Sequence, residues 1–100
     1  MTQHARFRLQ PEMERIDEEL QDAHDYAKLA LEHKHTEPDA ARLFARLSEE
    51  EMTHAGLLRE CAASRADGVP ESAAEVYEYL HKRQIEKAET VRRYQEMYRK

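Results

Sequence analysis

Apolar residues recur at steps of three and four along most of the chain, and this pattern predicts three helices. The first stripe is Met13, Ile16, Leu20, Ala23, Ala27 and Ala30, a heptad-like spacing that suits near-antiparallel bundle packing. Pro11 fits a first-turn position with acidic residues after it, so this helix is expected near 11–35. The second helix is expected near 37–66. Thr36 and Asp39 have capping-box spacing, Pro38 suits the first turn, and Asp67-Gly68-Val69-Pro70 supplies the stop. Its stripe is Phe44, Leu47, Glu51, His54, Leu58 and Cys61. Ser72-Ala73-Ala74-Glu75 opens a third helix near 72–99, with Tyr77, Leu80, Gln84, Ala88, Val91 and Tyr98 on its weaker apolar face. No run alternates apolar and polar residues between turn signals, as strands would. The expectation is an all-α, up-down-up chain whose first two helices are antiparallel neighbours. Residues 1–10 carry no clear pattern and read as an N-terminal arm to a helical domain over 11–100.

Composition sharpens this picture. Charged residues make up 37% of the 100 positions and glycine plus proline only five, the profile of long helices in one domain. A chain this short buries a thin core, which self-association or a metal would supplement. The formal net charge of −5 argues against a general nucleic-acid role. The single cysteine excludes an intramolecular disulfide, and Cys61 reads as a small core residue. No apolar run approaches the ~20 residues that span a bilayer, and no signal peptide is evident, so no membrane role and a cytoplasmic address are expected.

Chemistry enters on the second stripe. A carboxylate where leucine belongs costs several kcal/mol, roughly, unless something neutralises it. Glu51 and His54 are three apart on one helix face and can share an ion. Composition alone would give about one Glu-x-x-His pair; the chain also has Glu32/His35 and Glu78/His81. Glu32/His35 falls at a helix end and Glu78 lies off its apolar line, so only Glu51/His54 has apolar residues on both sides. The alternative is a hydrogen-bonded Glu–His pair inside a metal-free bundle. On helix one, Glu19 lies nearer the stripe than Asp22 and is the better candidate to offer a carboxylate inward; the alternative is a solvated boundary charge. Glu86 and Glu89 could add ligands from helix three but read more simply as a solvated face. His24, His33 and His35 read as solvated. Gly56 costs about 1 kcal/mol against alanine inside a helix, and close packing near the site would account for it.

Glu19, Tyr26 seven residues later, a connection, and then Glu51-Met52-Thr53-His54-Ala55 together resemble the first half of a ferritin-like protein, of the rubrerythrin and encapsulated-ferritin kind. Phe44 falls where rubrerythrins often carry phenylalanine. The resemblance covers about Glu18 to Leu58 and implies iron as the metal, with Glu19, Glu51 and His54 as ligands and Tyr26 hydrogen-bonded behind them. A full ferritin-like chain supplies four helices and two Glu-x-x-His sets, whereas this chain has three helices and one convincing set. It also lacks the cysteines of a rubredoxin domain. Half a site per chain implies a di-iron centre completed in a homodimer or higher even oligomer, forming a four-helix-type bundle. The implied activity is that of a ferroxidase, an oxidoreductase. An encapsulin-type shell is a further implied partner, though no targeting tail of that family follows helix three. The competing expectation is a non-enzymatic helical module that dimerises or docks a partner, with a buried Glu–His pair as its specificity element.

Overall fold

The computed structural model describes the backbone of residues 2–65 and 71–100 and the side chains of 11–64 and 74–100. It is all-helical: α1 spans Thr2–His33, α2 Pro38–Arg65 and α3 Glu71–Arg99, with no strand among the described residues. No helix is long and apolar enough to cross a membrane among those residues.

α1 begins at Thr2 rather than near Pro11, which lies inside it. Proline has no N–H to give the carbonyl four residues back. The helix nevertheless continues through it, so the proline marks no boundary here. α2 begins with Pro38 at its first position, as expected. The cap, however, is Glu37 rather than Thr36. The Ala41 N–H donates to the Glu37 carbonyl at 2.9 Å, and Asp39 pairs with Arg42 instead of turning back. α2 runs unbroken through Gly56, and a Cβ added there would meet open space. Close packing within the chain therefore does not explain that glycine. The Asp67-Gly68-Val69-Pro70 stop signal lies outside the described residues.

All six stripe residues of α1 are buried, none more than 6% exposed. α3 buries Gln84, Ala88 and Val91 and adds Gln95, while Tyr77 and Leu80 pack half-buried against the cluster of Met13, Ile16 and Leu20. α2 differs from expectation by one helical position. Its buried line is Ala41, Ser48, Ala55 and Ala62, a strict seven-residue repeat of small side chains. Ser48 meets Ala23 of α1, while Ala55 and Ala62 cluster with Met13, Ile16 and Leu20, so the α2 side of the seam is lined largely by alanine. The Phe44, Leu47, Glu51 and Leu58 line is half-buried beside that seam, and His54 and Cys61 on the same flank are exposed. Cys61 is thus not a core residue.

Contacts fix the helix directions. Tyr26 meets Phe44, Ala23 meets Ser48 and Glu19 meets His54, so α2 runs opposite to α1. Met13 meets Gln84, Gln21 meets Lys87 and His24 meets Tyr94, so α3 runs along with α1. α1 is the central element, and α2 and α3 touch at few points. Buried polar groups lock the three together. Ser48 Oγ donates to the Ala23 carbonyl at 2.7 Å and accepts from Gln95 Nε2 at 2.9 Å. Gln84 Nε2 donates to the Met13 carbonyl at 3.1 Å and to Asp17 Oδ1 at 2.9 Å. Sequence pattern did not single out Ser48 or Gln95 for this.

Candidate metal centre

Glu19 sits one helical step from the buried α1 line, so its side chain enters the seam with α2 and is only 8% exposed. Glu51 and His54 reach the same point from α2. Their i,i+3 spacing puts them on one face, with Glu51 19% and His54 56% exposed. His54 Nδ1 is 3.5 Å from Glu19 Oε2 and 3.8 Å from Glu51 Oε1. One donor atom from each of the three lies within 4.8 Å of the others. Donors bound at about 2.1 Å to a single ion stand about 3–3.5 Å apart, so small side-chain movements would close this group on a cation.

Electrostatics favour a cation at this point. Glu19 Oε1 pairs with Arg15 Nε at 3.1 Å. Glu19 Oε2, turned toward His54, is buried and has no hydrogen-bond partner. A buried carboxylate oxygen left so is costly. Two carboxylates and one arginine leave a local charge of about −1 when His54 is neutral, which a divalent ion would reverse.

The group faces away from α3. The α1 residues that meet α3 include Asp17, Gln21 and His24. At 3.6 residues per turn, Glu19 points about 165° from their mean direction. On α2, Ser48 and Glu49 meet α3, and Glu51 and His54 lie on the other side. That outer face also carries Leu43 and Leu57, 55% and 60% exposed.

Asp22 is exposed and outside the group. Tyr26 lies two turns from Glu19, its ring stacked on Phe44 with centroids 6.3 Å apart. Glu32, His35, Glu78, Glu86 and Glu89 are exposed, and His81 stacks on Tyr77; none belongs to the group. Two histidines expected in solvent are half-buried: His24 meets the edge of Tyr94, and His33 packs on Phe44. Arg15 is the neighbour that sequence reasoning missed, although its i,i+4 spacing to Glu19 was a usable signal. Comparisons of the chain with protein-family models, with curated proteins and with solved structures found no match.

Proposed function

We propose that this chain is a ferritin-like di-iron protein that oxidises ferrous iron at a site shared between two copies. The observation that carries the reading is Glu19 Oε2, a buried carboxylate oxygen without a hydrogen bond, facing His54 and Glu51. Three protein ligands hold an ion but leave it open on the exposed His54 side. A second copy docking there would bring its own three ligands and cover Leu43 and Leu57. Glu51, a carboxylate with two oxygens, would be the residue to bridge this ion and the one held by the second copy, with Glu19 and His54 as its fellow ligands. Carboxylates stabilise the harder ferric product over the ferrous substrate. Two ferrous ions release one electron each, and dioxygen takes both with two protons to become hydrogen peroxide.

A second reading has an observation of its own. His54 stands within ion-pair distance of both carboxylates, as a helical dimerisation or adaptor module with a structural Glu–His pair would have it. Metal analysis of protein purified aerobically without chelator separates the two. The iron reading expects about one iron per chain and an even oligomer by sedimentation at micromolar concentration, with metal favouring the assembled form by mass action. A protein that assembles without iron supports the module. A monomer in the presence of metal removes the shared site.

A further inference from the structure

We propose that Arg15 is a positioning residue that restricts Glu19 to binding metal through one oxygen. This rests on the metal-site reading above and adds to it how one ligand is presented. The two oxygens of Glu19 have different surroundings. Oε1 is paired with Arg15 Nε at 3.1 Å, while Oε2 is buried, lacks a hydrogen-bond partner and stands 3.5 Å from His54 Nδ1. An arginine on one oxygen fixes the carboxylate plane and leaves the other lone pairs directed at the ligand group. Arg15 is itself held from its far side. Its NH1 donates to Glu18 Oε2 at 3.2 Å, so the guanidinium spans one exposed and one buried carboxylate a residue apart. The tether is a turn of helix long, because Arg15 is four residues before Glu19 and three before Glu18.

The physical effect is on coordination number. A free carboxylate beside a cation can close on it with both oxygens, whereas one engaged by a guanidinium binds with one and leaves a position open. That position is where a further ligand or a second ion's bridge would enter. The positive charge of Arg15 opposes cation binding, and the ordered carboxylate favours it. The ordering outweighs the repulsion when the partner behind a ligand is worth its usual tenfold to hundredfold in affinity.

The test uses Co2+ alone as probe, on the full chain. Arg15→Gln is expected to weaken Co2+ binding about tenfold. It should also reduce the intensity of the Co2+ visible bands, because coordination number rises when Glu19 chelates. Arg15→Lys, which keeps the charge and one donor, should recover part of both. Arg15 is well exposed, so thermal unfolding of the metal-free protein should change little in either variant, and a merely structural role would not alter the spectrum. Unchanged affinity and spectrum in Arg15→Gln overturn the proposal. Tighter binding overturns it too and makes Arg15 a competing cation. If the native chain binds no Co2+, the metal-site reading falls and takes this one with it. If the native chain binds and Arg15→Gln binds alike, only this one falls.

Discussion

Glu51→Ala is expected to weaken divalent-metal binding by about a hundredfold or more. Structural zinc sites gain roughly 10–16 kcal/mol from four ligands, so one ligand is worth about 3 kcal/mol, or two powers of ten. Glu51 is a half-buried carboxylate 3.8 Å from His54 on its own helix, and Glu19 joins the group from across the seam. As a bridge it would serve both ions, and its loss would remove two bonds. Glu19→Ala should lower affinity by a similar factor for one ion. Asp22→Ala, Glu32→Ala and Glu78→Ala should leave it unchanged, because those carboxylates are exposed and outside the group. Iron titration of the five variants under anaerobic conditions reads all of this. A site that survives loss of Glu19 but not of Asp22 or Glu78 would mean that the ligands are elsewhere.

Ile16→Ala is expected to cost about 2–5 kcal/mol of folding stability. Ile16 is fully buried in the cluster formed by Met13, Leu20, Ala55, Ala62 and Ala88. Truncation there loses the transfer free energy of the removed carbons and leaves a cavity. Ala55, Ala62 and Ala88 cannot refill it, having no side-chain length with which to follow. Against a total of about 5–15 kcal/mol for a domain, the loss would remove a large fraction of the chain's stability. Urea unfolding at fixed protein concentration measures it, because self-association would otherwise enter the midpoint. Leu57→Ala in the same series should change stability by about 0.5 kcal/mol or less in the isolated chain, its side chain being mostly in solvent. Comparable losses at both positions would contradict the burial pattern.

The two stripes were not equally legible in the sequence, for a physical reason. α1 buries Ile16 and Leu20 on the same line as its alanines, so large side chains mark the inward face and all six positions follow. On α2 the large side chains and the inward face part company. Leu43, Leu47, Leu57 and Leu58 draw the eye to a flank, while the line that enters the seam is Ala41, Ser48, Ala55 and Ala62. Burial there reflects close backbone approach, which small residues permit and a hydrophobicity pattern does not register. The Glu51/His54 pair thus lies on the flank and not on the buried line, with His54 more than half exposed within one chain. Glu19, held open between an inward and a boundary position, is the carboxylate that the fold buries. The bundle's buried polar lock could not be read from one sequence, because Gln95 and Ser48 become partners only once three helices are in register.

α3 leans on α1, touches α2 at few points, and lies behind the carboxylate–imidazole group rather than beside it. This divides the chain into cooperative units of unequal strength. Release of α3 breaks the Gln84 and Gln95 bonds and exposes one side of α1, but it leaves the alanine seam closed and Glu19, Glu51 and His54 in place. That opening is the least costly route to a partly unfolded form, so amide protons of α3 exchange with solvent ahead of those along the seam. An ion bound by the three ligands would add protection to α1 and α2 first and reach α3 only through the helix they share.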